Sequence, residues 1–290
     1  MKKNGLNGKE LTGIVTMFYS EYCYNLGIEG IANDGYRSDL VKKFKRDFEI
    51  NCLNPHHLMD LDAVSMQGIL NVAFRNKEFD KIIQRMVDAD GERDIVNLGC
   101  GFDTRFFRLK GYRGLYTDID YYNVVQTKRE LLPKNNNYQL MGCTSVTDDS
   151  FVEDCKKVIH GKNPVFISEG LFCYIPFPQL TAFVKALFET FPDAVLICDV
   201  FLFSQHLVFD DVKSRVLLKH PEDGEERYQK GKKWYDAIER RIGVSSDNNN
   251  IKLANYVRLT EKYEPTPDDS VCCKDDRLIP QYWIGVYERG

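Results

Sequence analysis

Residues 94–105 read DIVNLGCGFDTR, and this stretch decides how the rest of the chain is interpreted. The apolar residues of Ile95–Leu98 predict a buried strand, which the turn Gly99-Cys100-Gly101 ends. Glycine adopts backbone angles that other residues avoid, and it lets a ligand approach the main chain closely. A strand that ends in a glycine turn and leads into a helix is the general form of a nucleotide-binding crevice in α/β proteins.

The composition narrows the class of protein. The chain has 290 residues, of which 43% are hydrophobic and 28% charged, as in soluble globular proteins. The net charge of −4 gives no global electrostatic reason to expect nucleic acid. The nine cysteines include no CxxC pair and lie at no ligand spacing with the five histidines, so a metal site is not expected. The chain has no signal-peptide core and no apolar stretch near the roughly 20 residues of a membrane span, so we expect a cytoplasmic protein without membrane contact.

Short apolar runs alternate with amphipathic stretches from residue 94 onward, which is typical of a doubly wound parallel sheet. Residues 1–90 contain no convincing strand, and residues 61–87 show apolar positions at helical spacing. We therefore predict an α/β fold with a mostly parallel, seven-stranded sheet. A helical N-terminal cap of residues 1–90 would join an α/β domain of residues 91–290 in one structural unit. The predicted strands are 95–98, 114–119, 138–141, 165–168, 194–200, 251–259 and 282–287, and the helices between them are 121–132, 149–159 and 178–191.

Asp120 gives the glycine turn its functional interpretation. It lies 19 residues after Gly101, at the end of the next predicted strand, where an acid can accept hydrogen bonds from both ribose hydroxyls of a nucleoside. The glycine turn alone would fit a ligand-free turn equally well. Thr104 stands where a dinucleotide-binding motif has its third glycine. Asp118, on the same strand face, is expected to orient loops or to be solvated.

Two further polar segments follow predicted strands. Thr144 and Ser145 begin a turn that would border an adenine ring, and Asp148 in the same turn is expected to cap the next helix. Glu169 ends an apolar strand that lies beside the first strand in a doubly wound sheet. Its carboxylate is placed to pair with a ligand ammonium group, and the alternative is a cap for the following helix.

Six segments together give the chain a family resemblance. In order they are AFRNKEFD (73–80), VNLGCGFDTR (96–105) with Phe107-Arg108, YTDID (116–120), SVTD (145–148), EGLFCY (169–174) and Phe191-Pro192. The chain resembles the leucine carboxyl methyltransferase family of S-adenosylmethionine-dependent enzymes, in the branch named for tetracenomycin polyketide O-methyltransferases. The resemblance covers about residues 65–200. It implies a class I methyltransferase fold with a helical lid, in which residues 91–290 bind S-adenosylmethionine.

The same resemblance implies a role for each matching residue. Arg75 would bind the methionyl carboxylate, the turn Gly99-Cys100-Gly101 would lie beneath the methionine, and Asp120 would bind the ribose. Thr144 and Ser145 would contact adenine, Glu169 would contact the cofactor, and Tyr174 would lie near the acceptor carboxylate. Two stretches depart from the family pattern: Tyr121-Tyr122 replaces an apolar-proline pair, and the residues after 205 align with nothing in the family.

The absence of an obvious catalytic base favours one type of methyl acceptor. A carboxylate is already an anion near neutral pH, whereas a phenol or an alcohol needs a base, for which His206 and Tyr174 are the nearest candidates. We expect O-methylation of a carboxylate or an acidic hydroxyl on a small molecule, with Tyr174 donating a hydrogen bond to the acceptor; simple aromatic packing of Tyr174 is an equal alternative. The alternatives for the whole chain are methylation of a protein C-terminus, cofactor binding without catalysis, and an NAD-dependent oxidoreductase. Thr104 and Glu169 argue against the last, and the oligomeric state stays open.

Overall fold

A computed structural model of the chain describes residues 8–32, 35–47, 66–148, 150–161, 163–175, 177–202, 251–258 and 281–289. Among these residues, the helices α1 (Gly8–Asn25), α2 (Tyr36–Asp47) and α3 (Met66–Ala89) precede strand β1. Strands and helices then alternate. They are β1 (Ile95–Leu98), β2 (Tyr116–Tyr121), α4 (Tyr122–Leu131), β3 (Tyr138–Cys143), α5 (Phe151–Cys155), β4 (Val165–Ser168), α6 (Phe177–Thr190), β5 (Val195–Leu202), β6 (Ile251–Arg258) and β7 (Gln281–Arg289).

The strands form one sheet in the order β3-β2-β1-β4-β5-β7-β6. The first five strands are parallel, and β7 runs antiparallel between β5 and β6. Strands β1 and β4 are buried along their whole length, as expected for parallel strands that helices cover on both faces. The predicted doubly wound, mostly parallel α/β fold is confirmed.

The strand order reverses between β1 and β4. From β1 the chain winds outward to β2 and β3, and it then returns to place β4 on the other side of β1. Ligands of open α/β sheets bind beyond the carboxyl ends of the strands at such a switch point. The parallel register pairs Leu98 with Ser168, the last residues of β1 and β4. Gly99 and Glu169, which follow them directly, therefore lie next to each other at the carboxyl edge of the sheet.

Each face of the sheet carries its own apolar cluster. Residues of α1, α2 and α3 pack against one face, with Phe18, Phe44 and Phe79 each at most 1% exposed. Residues of α5 and α6 pack against the other face. The three N-terminal helices therefore share a core with the strands, while the predicted domain boundary at residue 90 stays a prediction.

Helix α5 is much shorter than the predicted helix 149–159. It spans only Phe151–Cys155, and Ser150 at its start makes no capping side-chain hydrogen bond. The following amides of Lys156, Lys157 and Val158 bond to carbonyls three residues back, which is the pattern of tight turns and not of an α-helix. The predicted helical stretch 204–247 lies outside the described residues.

Candidate cofactor site

The turn after β1 needs glycine at two positions. Gly99 has φ +61° and Gly101 has φ +50°, in the left-handed region that other residues rarely adopt. A Cβ on Gly99 would also lie 2.9 Å from the Leu171 side chain. The side chain of Cys100 between them is buried, and burial raises the pKa of its thiol well above the usual range, so the thiol stays neutral.

Asp120 lies beside this turn, as the sequence predicts. Its carboxylate accepts hydrogen bonds from the backbone N–H groups of Gly101 and Tyr121, each at 2.7 Å. Burial raises the pKa of Asp120, and the two N–H donors partly offset that rise. The acid at the end of β2 is thus held in direct contact with the glycine turn, at the carboxyl edge of the sheet.

Asp118 has a structural role, and the expectation that it might be solvated is wrong. It is 2% exposed and accepts hydrogen bonds from Lys128 Nζ at 2.7 Å, Tyr138 Oη at 2.6 Å and Asn97 Nδ2 at 2.9 Å. Although burial disfavours the charge of Lys128, Asp118 raises the pKa of that amine. Because Lys128 also donates to the Asp103 carbonyl at 2.7 Å, Asp118 orients the loop after the glycine turn, which was the alternative expectation.

Arg75 on α3, which is buried, and Glu169 after β4, which is partly buried, form an ion pair. Arg75 Nε lies 3.1 Å from Glu169 Oε1, and Arg75 Nη1 lies 3.0 Å from Asp199 Oδ2 on β5. The other Asp199 oxygen accepts the N–H of Gly170 at 2.7 Å. The side chains predicted to bind the two ends of an amino acid are therefore adjacent, and the Glu169 carboxylate pairs with side chains here instead of capping the following helix.

Arg105 and Arg108 extend the Arg75–Glu169 pair into a larger ionic cluster, which was not predicted from the sequence. Arg105, only 1% exposed, contacts Asp80 Oδ1 at 2.7 Å, Asp103 Oδ2 at 2.8 Å and Glu169 Oε2 at 2.6 Å. Arg108 contacts Asp80 Oδ2 at 2.6 Å and Asp103 Oδ1 at 2.9 Å. Burial alone would raise the pKa of Asp103, but the two arginines hold it well below its usual range. The DTRxxR spacing was the available signal, since two arginines beside a buried strand require nearby carboxylates.

Within the part of the chain that the structure describes, the connected ionic side chains have a formal excess of one negative charge. They comprise three arginines and four carboxylates: Arg75, Arg105, Arg108, Asp80, Asp103, Glu169 and Asp199. Buried charges are favourable only when they are balanced. A cluster with this excess suits a ligand that brings net positive charge more than one that brings a diphosphate.

Thr144 and Ser145 form a loop that Asp148 closes. The Thr144 hydroxyl and the Ser145 N–H, the latter at 3.1 Å, both donate to Asp148 Oδ2. The expectation that Asp148 caps the next helix is wrong, because its carboxylate bonds backward in the chain. The loop follows β3 directly, where Cys143 pairs with Tyr121 of β2, so it lies at the same edge of the sheet as Asp120.

Tyr174 ends a 3-10 turn, Phe172–Tyr174, and is partly buried five residues beyond Glu169. His206 lies outside the described residues. In the part of the chain that the structure describes, no group of three or more His, Cys, Asp or Glu side chains could hold a metal ion, and no helix is long and apolar enough to cross a membrane.

The fold and this crevice define a class I methyltransferase architecture, and comparison with known proteins identifies the family. The family model of leucine carboxyl methyltransferases matches residues 26–188, more than half of the chain. The chain therefore belongs to the leucine carboxyl methyltransferase family. This is a family of S-adenosylmethionine-dependent enzymes, so S-adenosylmethionine is the family's cofactor.

Two curated proteins are similar in sequence. The tetracenomycin polyketide synthesis O-methyltransferase TcmP of Streptomyces glaucescens is 22% identical over 132 residues, 45% of this chain and 47% of that protein. The S-adenosyl-L-methionine-dependent methyltransferase dpfgK of Gibberella zeae is 26% identical over 197 residues, 65% of this chain and 63% of that protein. The matches thus span about half to two thirds of the length of these relatives.

A solved structure from Thermobifida fusca, assigned as a methyltransferase, has a similar fold. It superimposes with a TM-score of 0.52 at 14% identity, covering 76% of this chain and 82% of that one. At this identity the likeness concerns the fold alone.

The residues present fit the family's cofactor. The methionyl group of S-adenosylmethionine carries a carboxylate and an ammonium on one carbon, and the adjacent Arg75 and Glu169 have the complementary charges. The cofactor brings a net positive charge through its sulfonium, which matches the excess negative charge of the ionic cluster. Asp120 beside the glycine turn has the position of a ribose acid.

Proposed function

We propose that this chain is an S-adenosylmethionine-dependent O-methyltransferase that acts on a carboxylate or an acidic hydroxyl of a small molecule. One observation carries the cofactor part of the proposal: the Arg75–Glu169 pair at the switch point of the sheet. The two charges of an α-amino acid sit close together, so a site for it needs an adjacent cation and anion. Arg75 and Glu169 neutralise each other until a zwitterion takes both as partners.

Each predicted site residue would bind a different part of S-adenosylmethionine. Arg75 would hold the methionyl carboxylate and Glu169 the ammonium group, while Asp120 would accept hydrogen bonds from the ribose hydroxyls. The backbone of Gly99-Cys100-Gly101 would lie beneath the methionine, and Thr144 and Ser145 would border the adenine. When bound, the cofactor supplies a methyl group on a positively charged sulfur. The chain's task is then to align an acceptor oxygen with that methyl group and to exclude water, an effect worth several kcal/mol, up to about 10, in well-oriented reactions.

The acceptor proposal rests on which groups flank the site. A carboxylate needs no general base at neutral pH, and every carboxylate of the ionic cluster is in contact with an arginine. Tyr174, five residues beyond Glu169, would donate a hydrogen bond to the acceptor oxygen and position it. The name of the relative TcmP, an O-methyltransferase of polyketide synthesis, supports a small-molecule acceptor. We further propose that the protein acts in the cytoplasm and takes neither nucleic acid nor membrane as partner.

Two other functions are distinguished by specific features. Methylation of a protein C-terminus would use the same carboxylate chemistry, and membership of a leucine carboxyl methyltransferase family favours it as a second candidate. An NAD-dependent oxidoreductase is disfavoured because the net negative ionic cluster would repel a diphosphate.

Calorimetry and a methyl-transfer assay test the proposal together. S-adenosylhomocysteine, the demethylated product, should bind with a dissociation constant on the order of micromolar, and NAD should not bind. With methyl-labelled cofactor, aromatic carboxylic acids, acidic phenols and a peptide ending in leucine serve as acceptors. Product that loses its label in mild base is a methyl ester, and base-stable product is a methyl ether. Tyr174→Phe should lower kcat/KM for the acceptor and leave the affinity for S-adenosylhomocysteine unchanged.

Each other outcome overturns a stated part of the proposal. A folded protein that does not bind S-adenosylhomocysteine rules out the cofactor assignment. Transfer to the peptide alone replaces the small-molecule acceptor with a protein C-terminus. Binding with no transfer to any of these acceptors favours a cofactor-binding protein without catalysis.

A further inference from the structure

The two carboxylate oxygens of Glu169 have different partners. Oε1 lies 3.1 Å from Arg75 Nε, the cation that is expected to turn to the ligand. Oε2 lies 2.6 Å from Arg105 Nη2, and Asn76 Nδ2 is 3.5 Å from the same oxygen. Arg105 has no assigned role in the site. One oxygen of Glu169 is thus held by a buried residue, and the other is shared with an exchangeable partner.

Arg105 is itself fixed from two further directions. Asp80 on α3 binds its Nε at 2.7 Å, and Asp103 in the loop after the glycine turn binds its Nη1 at 2.8 Å. Arg108 contacts the second oxygen of each of these two carboxylates. A planar guanidinium with contacts on three sides has little rotational freedom, because its donors form a rigid fork. Arg105 therefore presents its remaining donor to Glu169 in a defined direction.

We propose that Arg105 is a positioning residue for cofactor binding, acting through Glu169. By holding Oε2, Arg105 fixes the plane of the Glu169 carboxylate and leaves Oε1 to exchange Arg75 for the ammonium group of the methionyl moiety. It also keeps the charge of Glu169 compensated while Arg75 turns to the ligand carboxylate. This inference rests on the proposed function, because it assumes that the crevice binds S-adenosylmethionine.

The main experiment compares Arg105 with Arg108 and uses two ligands. Arg108 is a matched control, since it is also buried and contacts the same Asp80 and Asp103. The ligands are S-adenosylhomocysteine and 5′-methylthioadenosine, which keeps the nucleoside and the thioether but lacks the amino-acid part. Affinities are measured by calorimetry, below the melting temperature of each variant.

For Arg105→Lys we expect a loss of affinity that occurs only when the ligand carries the amino-acid part. Arg105→Lys should weaken S-adenosylhomocysteine binding by about tenfold or more, the usual scale for a charge-assisted hydrogen bond, and change 5′-methylthioadenosine binding by less than about twofold. Arg108→Lys should change both affinities by less than about threefold, because Arg108 contacts Asp80 and Asp103, which lie one contact further from the proposed ligand than Glu169. In a Glu169→Gln background, Arg105→Lys should cause little further loss, because Arg105 then has no carboxylate to position.

Several results would overturn the inference. If Arg105 had only a structural role, Arg105→Lys would lower the affinities for both ligands equally, or by no more than Arg108→Lys does. A full tenfold loss that persists in the Glu169→Gln background would show that Arg105 acts on the ligand by another route. If the folded wild-type protein binds neither ligand, the proposed function itself is refuted. If the wild type binds S-adenosylhomocysteine and the Arg105→Lys variant binds it equally well, only the role of Arg105 is refuted. Lysine keeps the buried positive charge, so this variant is expected to fold.

Discussion

Two aspartates on β2, two residues apart, have different partners and therefore different roles. Asp118 is buried against Lys128, whereas Asp120 is less buried and accepts backbone N–H groups from the glycine turn. We predict that Asp120→Asn weakens S-adenosylhomocysteine binding by about tenfold or more, because the neutral amide is a poorer acceptor for two ribose hydroxyls. Calorimetric titration of the two proteins at equal temperature measures the change.

Asp118→Asn is the contrasting variant. It leaves the amine of Lys128, which is fully buried, without its carboxylate partner. Breaking a buried ion pair in this way costs about 3–5 kcal/mol of unfolding free energy. Urea denaturation should show this loss for Asp118→Asn and a smaller loss for Asp120→Asn. If Asp120→Asn were to lower stability and leave affinity intact, the acid would have only a structural role.

Helix α1 approaches the glycine turn closely, backbone to backbone. A Cβ on Gly13 would lie 3.1 Å from Gly101 Cα and 3.5 Å from Phe102 N. We predict that Gly13→Val lowers the unfolding free energy by about 1–3 kcal/mol, the usual cost of excess volume in a packed contact. The unfolding free energy of Gly13→Ala should lie within about 1 kcal/mol of wild type. Alanine displaces the neighbouring backbone less than valine does, and its higher helix propensity than glycine offsets that cost. Urea denaturation of both variants checks the order, and equal stability of the two would mean that α1 does not pack against the turn.

The strands were predictable because each depends on a local pattern. Short runs rich in apolar residues predicted all seven strands that the structure describes, with ends within two residues of those observed. The signal was clearest for β1 and β4, because a parallel strand that is buried on both faces has a nearly continuous apolar sequence. The position of Asp120 also followed from local spacing, because the last residues of a parallel strand reach the crevice. Helix α5 was overpredicted, since its apolar spacing continues beyond the point where the backbone turns more tightly.

At the scale of the whole molecule, the ionic cluster was not predictable from local pattern. Arg75 pairs with Glu169 and Asp199, which lie 94 and 124 residues away in the chain. These contacts form only when the chain folds and brings α3 next to the ends of β4 and β5. No local stretch of sequence contains both partners of either pair. The resemblance marked Arg75 and Glu169 as cofactor residues, but it did not indicate that they contact each other or that Arg105 holds Glu169 from behind.

The buried ionic cluster should make stability sensitive to acid. Asp103 is ionised in the folded protein well below 3.8, its ordinary pKa, because Arg105 and Arg108 outweigh the effect of burial. As the pH falls below about 4, the unfolded chain takes up a proton at this position that the folded chain does not, so the free energy of unfolding decreases. Burial raises the pKa of Asp120 and Asp199, so their contributions have the opposite sign, and a comparison with a variant isolates Asp103.

Asp103→Asn is that variant, and it should change the pH dependence as well as the stability. Its unfolding free energy should be lower than that of wild type at pH 6, and the difference should shrink between pH 4 and pH 3, by up to about 1.4 kcal/mol per pH unit for one proton. Urea denaturation at several pH values measures both curves. Glu92→Gln, which removes an exposed ion pair with Arg113, is the control and should run parallel to wild type throughout. Parallel curves for Asp103→Asn would contradict the prediction, because they would mean that Asp103 titrates alike in the folded and unfolded chains and is not held ionised by its arginines.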